Sequence, residues 1–369
     1  MKKILFLIHD LGHGGAEKVL VNLVNNMDPQ QFDITVISLF GGGVNEQFLK
    51  PHIRYRAVFP RSIPGNSHLM KLFSPKQLHR WFIREKYDIE VSYLEGPCAR
   101  IISGCEEPET RLVSWIHVQQ NDLKTLCSSF RCEKEARLCY DRFHQTVCVS
   151  DYVRQDFCRI LDFRKSCRVL YNTVESDTIL TQSAEEAPEF TDSGLLRLVA
   201  VGTLKASKGY ERLLRIIKRL RDDGFRLCLY ILGTGSLREV MEQYIEKNGL
   251  SDTVKFLGYQ TNPYKYVSKC DLFVCASFSE GFSTAATEAL IVGTPVCTVE
   301  VSGMKEMLGE HNEWGIVTEN DEEALYQGIK GLLEDPSRLA YYKEKAIERG
   351  KDFSTEETVR AVEEMLLSL

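Results

Sequence analysis

Met1-Lys2-Lys3-Ile4-Leu5-Phe6-Leu7-Ile8-His9-Asp10-Leu11-Gly12-His13-Gly14-Gly15-Ala16-Glu17 opens the chain, and its reading decides the fold. The apolar run Ile4–Ile8 is too short for a secretory h-region and far too short to span a bilayer. It reads as a first buried parallel strand, followed by a glycine turn and a helix through Glu17–Asn26. The same rhythm continues. Ile34–Leu39, Ile89–Leu94, Arg111–Ile116 and Gln145–Ser150 are further apolar runs, with a helical stretch at about 76–86. Strands alternating with helices predict a parallel sheet covered on both faces.

The pattern restarts after a polar, acidic stretch. Leu196–Val201, Leu227–Leu232, Val254–Leu257, Leu272–Ala276 and Thr294–Thr298 form a second set of strands. The expected organisation is an N-terminal domain over 1–174, a linker over 175–195 and a second domain over 196–350. A C-terminal helix over 351–369 is placed as a candidate to return to the first domain. The fold class is α/β, with two doubly wound Rossmann-like domains facing a central cleft. Ligands of such sheets bind outside the carboxyl ends of the strands.

The composition fits two globular cores: 369 residues, 43% hydrophobic and 27% charged, which excludes disordered and fibrous classes. The 12 cysteines contain no CxxC pair and read as reduced cytosolic thiols. Residues 1–175 carry 24 Lys and Arg against 20 Asp and Glu, and the remainder carries 22 against 32. A mildly basic first half beside an acidic second half argues against a nucleic-acid binder. It leaves the first half suited to an anionic acceptor or surface.

Three segments carry chemistry. In the first, Gly14-Gly15 lets backbone approach a ligand and exposes a helix N-terminus, but a plain strand-to-helix turn accounts for it equally. His9, Asp10 and His13 are nearby ligand types, with a metal there the minor reading. In the second, Val201-Gly202-Thr203-Leu204-Lys205-Ala206-Ser207-Lys208-Gly209-Tyr210, Lys208 precedes a helix, where its ammonium suits a diphosphate; an exposed loop lysine is the plainer reading. The third, Cys275 to Leu290, runs from strand into helix. There the N–H groups of Phe282, Ser283 and Thr284 make an anion site flanked by Glu280 and Glu288. Two carboxylates beside an anion site suit a diphosphate between hydroxyl-rich sugars, with Glu288 toward the ribose and Glu280 toward the transferred sugar. Dipole stabilisation of Glu280 and solvation of Glu288 are the bland alternative, although Ala285, Ala286, Ala289, Leu290 and Ile291 make that helix too apolar for a plainly solvated acid.

These landmarks, with His117 after a strand, Val149-Ser150, Tyr171-Asn172, Leu232-Gly233, Phe256-Leu257-Gly258, Gly293 and Pro295-Val296, follow one another almost end to end. In that order the chain resembles the retaining glycosyltransferase family four, of GT-B fold. The resemblance implies retaining transfer from a nucleotide-diphosphate sugar, a UDP-sugar favoured, without metal or other cofactor; no Asp-x-Asp occurs in the sequence. It implies that Glu280 and Glu288 are the family's E-x7-E pair, that Lys208 meets the diphosphate, and that His117 lies near the transferred sugar. On it, His117, Lys208 and Glu280 are the expected catalytic residues. Gly15, Gly202, Thr203, Lys208, Gly258, Glu280, Gly281, Phe282, Ser283, Thr284 and Glu288 are the expected donor site. Thr203 is a departure, because the family usually has arginine there, so one cation is missing and Lys208 should matter more. His117 also reads as a buried histidine at a strand end.

The run His68–Lys86 is a candidate membrane-facing element. Ser74-Pro75 starts a helix on which Lys76, Arg80 and Arg84 would share one face, with Leu78, Trp81, Phe82 and Glu85 on the other side. A helix packed on the sheet with a solvated basic face is the alternative. The expected partners are thus a nucleotide sugar, a glycan or lipid-linked acceptor and an anionic membrane, with no nucleic acid. The expected place is the cytoplasm, at the inner face of the membrane. A sugar-nucleotide epimerase of similar fold and a non-catalytic nucleotide-sugar-binding subunit are the rival readings.

Overall fold

The computed structural model describes residues 1–12, 14–61, 70–120, 122–187, 190, 194–279, 282–301 and 303–369. It divides into two units, Met1–Val174 with Thr355–Leu369, and Glu175–Ser354.

The first unit holds a sheet of seven strands: β1 (Lys2–Ile8), β2 (Phe32–Phe40), β3 (Arg54–Phe59), β4 (Ile89–Ser92), β5 (Arg111–Ile116), β6 (Gln145–Cys148) and β7 (Cys167–Val169). Their spatial order is β3-β2-β1-β4-β5-β6-β7, all parallel, with Leu5 of β1 opposite Thr35 on one side and Glu90 on the other. The order reverses between β1 and β4, a switch point at which the loops of adjacent strands diverge to opposite faces. Among its helices are α1 (Gly15–Asn26), α2 (Pro75–Phe82), α3 (Pro97–Ile102) and α4 (Asp151–Leu161).

The second unit repeats the plan. Its strands are β8 (Leu196–Val201), β9 (Leu227–Leu232), β10 (Val254–Gly258), β11 (Leu272–Cys275), β12 (Val296–Val299) and β13 (Ile316–Thr318), in the order β10-β9-β8-β11-β12-β13. The switch point lies between β8 and β11. Helices α5 (Ser176–Ser183), α6 (Tyr210–Asp222) and α7 (Thr284–Ile291) belong here. The stretch 175–195 is therefore partly helical: Asn262 and Ser268 donate to the carbonyls of Gln182 and Ser183, at 2.9 and 3.0 Å, tying α5 to this unit.

Both cores have the expected origin. Strand residues Ile4–Ile8 and Leu227–Leu232 are buried throughout, because helices cover both faces of a parallel sheet. The strands without a continuous apolar signal are β3, β7 and β13, all at sheet edges, where half-exposed residues such as Arg54 and Arg56 suffice.

The last helix, α8 (Thr355–Leu367), packs with the first unit. Glu363 accepts from the Asp28 N–H at 2.7 Å, Lys2 donates to the Leu366 carbonyl at 3.1 Å, and Thr355 donates to the Val174 carbonyl at 2.8 Å. The chain thus leaves the first unit at Val174 and rejoins it at Thr355. Met365 is fully buried although it lies near the chain end. Met365→Ala should cost about 2–4 kcal/mol in urea unfolding. A loss under about 0.5 kcal/mol, the size of a surface substitution, would show that this helix does not complete the first core.

Candidate active site

The second unit forms its site at the switch point. A small recess opens at the carboxyl ends of β8 and β11, lined by Val201, Lys208, Tyr210, Ala276, Ser277 and Ser283 among others. Lys208 and the α7 N-cap Ser283 therefore line one concavity.

Glycine backbone joins the loops that follow the neighbouring strands. Gly202 donates to the Leu232 carbonyl at 2.9 Å and Gly233 to the Gly258 carbonyl at 2.7 Å, so the loops after β8, β9 and β10 hold one another. A Cβ on Gly233 would stand 2.0 Å from the Gly202 oxygen, which no side chain tolerates. The Lys208 stem runs beside Gly202: a Cβ there would lie 3.7 Å from Lys208 Cε. Tyr210 donates its hydroxyl to the Gly202 carbonyl at 3.1 Å, closing the turn that presents the lysine. Thr203 is exposed, and its carbonyl accepts from the Lys205 N–H at 2.9 Å.

Arg212, which sequence reasoning left without a role, anchors this region. On α6 it is only 3% exposed; its Nε donates to the Ala276 carbonyl at 2.8 Å and its Nη2 to the Ser277 carbonyl at 2.9 Å. The guanidinium also lies 4.2 Å from the centre of the Phe278 ring. Burial lowers its pKa from the usual arginine value. Arg212 is thus committed to backbone and does not replace the cation missing at Thr203. Its sequence signal was an arginine between Tyr210 and Leu213 on an otherwise apolar helix face. Phe278 N–H donates to the Ser207 carbonyl at 2.7 Å, joining the two loops directly.

Helix α7 begins behind Ser283, whose Oγ accepts from the Ala286 N–H at 3.3 Å. The first N–H groups of a helix have no carbonyl of their own helix to meet, and Ser283 and Thr284 stand at that terminus of α7. Phe282 is buried and edges onto Phe353 at 5.8 Å. Glu288 is buried as its apolar neighbours demanded, and Tyr264 donates to its Oε1 at 3.1 Å. Glu280 and Gly281 lie outside the described residues.

In the first unit, Gly14 is the N-cap of α1, and Gly15 its first residue. The Glu17 carboxylate folds back over this turn: a Cβ on Gly14 would meet Glu17 Oε2 at 2.0 Å. Burial raises the Glu17 pKa, the bond from its own N–H opposes this, and nearby Asp10 adds to it. The helix terminus at Gly14-Gly15, read from sequence as either open to a ligand or a plain turn, is therefore covered by a carboxylate. His9 Nδ1 pairs with Asp10 at 2.7 Å, and the Gly12 N–H donates to Asp10 at 2.8 Å; His13 lies outside the described residues.

His117 follows β5 and is 5% exposed, with Tyr93 against its ring at 4.7 Å. The ring bonds the Tyr93 backbone, while Nε2 is buried with no hydrogen-bond partner among the described residues. That combination puts the proton on Nδ1 and leaves Nε2 a bare acceptor. Burial pushes the pKa down to about 3, so the imidazole is neutral at working pH. Glu95 was missed by sequence reasoning. It accepts from the His117 N–H at 3.2 Å and from Gln120 Nε2 at 3.1 Å, and burial raises its pKa. An acid at the carboxyl end of β4, followed by the turn residues Gly96-Pro97, was the available signal.

Two outcomes follow. Arg212→Met removes two charge-assisted bonds to carbonyls that then lie buried, and should lower stability by about 2–4 kcal/mol in urea unfolding; a loss within about 0.5 kcal/mol would contradict the anchoring role. For His117, the unfolded ring binds a proton below pH 6.5 that the folded ring refuses until about pH 3, so stability falls as pH drops across that window. Moving from about pH 7 to about pH 5 should therefore cost His117→Gln less stability than the parent. Equal losses would mean that the ring is solvated.

A family model described as Glycosyl transferases group 1 matches residues 182–349, and one described as Glycosyltransferase Family 4 matches residues 13–178. The chain is 29% identical over 392 residues to N-acetylgalactosamine-N,N'-diacetylbacillosaminyl-diphospho-undecaprenol 4-alpha-N-acetylgalactosaminyltransferase of Campylobacter jejuni, covering 100% of both chains. It is 22% identical to the lipopolysaccharide core biosynthesis glycosyltransferase LpsE of Rhizobium meliloti, covering 96% of each. Among solved structures, Anabaena HepE in complex with UDP superposes with a TM-score of 0.79 at 19% identity over 100% of both chains. The two models between them take in both units, and the chain belongs to the group 1 glycosyltransferases, with the GT-B fold.

Proposed function

We propose that this glycosyltransferase moves a sugar, with retention, from a UDP-sugar to a hydroxyl of a glycan or lipid-linked acceptor, without a metal ion at the donor. Surface polysaccharide or glycolipid synthesis is the process that fits. The observation that carries the reading is the recess shared by Lys208 and the α7 N-cap Ser283. An ammonium and a helix terminus converging there match the charge of a diphosphate. The Campylobacter relative's acceptor, by its name, is a diphospho-undecaprenol-linked sugar, and HepE was captured with UDP. Both favour this donor and this acceptor class.

Departure of the nucleoside diphosphate develops negative charge beside Lys208 and α7, which stabilise it more in the transition state than in the ground state. With those positive groups in place, the donor needs no divalent cation. Buried Glu288, oriented by Tyr264, accepts from ribose hydroxyls, and Glu280 from the transferred sugar. The acceptor hydroxyl attacks from the leaving-group side. Neutral His117 accepts from a sugar hydroxyl through Nε2 and is not the base.

The membrane reading changes in detail. Helix α2 ends at Phe82, so Arg84 lies beyond it, and Lys76 is paired with Glu106 at 2.6 Å. The exposed Trp81 instead packs its ring on Phe73 at 4.8 Å, beside exposed Leu72 and Arg80. This aromatic and basic patch suits an anionic surface at the inner face of the membrane.

UDP-, GDP- and ADP-sugars should be compared by thermal shift, with the UDP-sugar raising the melting temperature most. Lys208→Ala and Glu280→Ala should each lower turnover roughly 10²–10³-fold with the fold intact. Added Mg2+ or Mn2+ should leave the parent rate unchanged. Parent-like rates in Lys208→Ala would sink the assignment. Conversion of the donor without acceptor would point to an epimerase, and binding without nucleoside diphosphate release under any acceptor to a non-catalytic subunit.

A further inference from the structure

Away from the carboxyl ends of the first sheet, three ligating side chains from three separate segments meet in the core. They are His79 on α2, Glu90 near the start of β4, and Cys105 just after α3. His79 Nε2 is 2.8 Å from one Glu90 oxygen, and Cys105 Sγ is 3.8 Å from the other. All the candidate ligand atoms lie within 4.8 Å of one another. Glu90 and Cys105 are 1% and 2% exposed, and the His79 side chain 11%.

We propose that His79, Glu90 and Cys105 form a structural site for a divalent transition metal of zinc type, which fastens α2 to β4. The donor set is the argument. Imidazole nitrogen, carboxylate oxygen and thiolate sulfur together suit Zn2+, whereas Mg2+ and Ca2+ call for oxygen alone. In a tetrahedral zinc site with bonds of about 2.0–2.3 Å, neighbouring ligand atoms stand about 3.3–3.6 Å apart. The observed separations, 2.8 and 3.8 Å and none above 4.8 Å, reach that geometry through changes of about 1.5 Å or less, with the fourth position left for water. A thiol is a weak hydrogen-bond donor and adds little to a histidine–glutamate ion pair, but as a thiolate it is a strong ligand. A dication also compensates the cost of holding the Glu90 carboxylate in a nearly dry core. Binding replaces the protons on the imidazole Nε2 and the thiol, so it releases protons and strengthens as pH rises.

The site lies on the helix that carries Arg80 and Trp81, and it is separate from the donor recess, which is in the other unit. Its metal is therefore structural, and its presence is compatible with a donor step that needs no cation.

Full-length protein, stripped with a chelator under reducing conditions, should be titrated with Co2+ and then Zn2+. The result expected is one Co2+ per chain at this site, with a thiolate-to-cobalt charge-transfer band that Zn2+ abolishes. Zn2+ should also raise the melting temperature of the stripped protein. Cys105→Ser and His79→Gln should weaken binding by more than the roughly 10–100-fold that loss of a supporting partner costs. Cys158→Ser, at the thiol pair where Cys158 and Cys167 lie 3.7 Å apart, should leave the band intact. A parent spectrum without the band, or a band kept in Cys105→Ser and lost in Cys158→Ser, would overturn the site without touching the transferase reading. The parent titration decides the matter even if a variant fails to fold.

Discussion

A buried guanidinium holds the end of β11 in place, and the recess beside Lys208 depends on it. Arg212 reaches from α6 to the carbonyls of Ala276 and Ser277 just beyond the strand end. Beside it, Gly209 takes a left-handed backbone with φ of 66°, and any Cβ there would stand 1.9 Å from the Ala276 oxygen. Strand end, lysine loop and α6 therefore close on one another at van der Waals distance. Shifting any one of them moves Lys208 relative to α7.

The fold was largely legible, because strands buried on both faces leave unbroken apolar runs such as Ile4–Ile8 and Leu227–Leu232. What escaped lay at sheet edges, where burial is partial and β3 carries two arginines. Ser74-Pro75 foretold the start of α2, since the capping box is written locally, but not its end at Phe82.

The site was legible where a residue's chemistry is fixed by its neighbours in sequence. Glu288 sits in an apolar helix and had to be buried with a partner; that the partner is Tyr264 is a fact of tertiary packing. Arg212 could not be placed, because its carbonyl partners are 64 and 65 residues away. The same limit hid Glu95 beside His117 and the Glu17 carboxylate over Gly14. His117 is the sharper case: its position after a strand was readable, but its neutral state comes from burial against Tyr93.

The central claim is that Lys208 and the start of α7 hold a diphosphate. The direct measurement is calorimetric binding of UDP and of uridine monophosphate to the parent and to Lys208→Met. A charge-assisted contact of about 1.5–3 kcal/mol predicts that the parent prefers UDP by roughly 10–150-fold. The variant should lose most of that preference while its affinity for the monophosphate barely changes. A parent that binds both ligands equally, or a variant that keeps the full preference, would contradict the account.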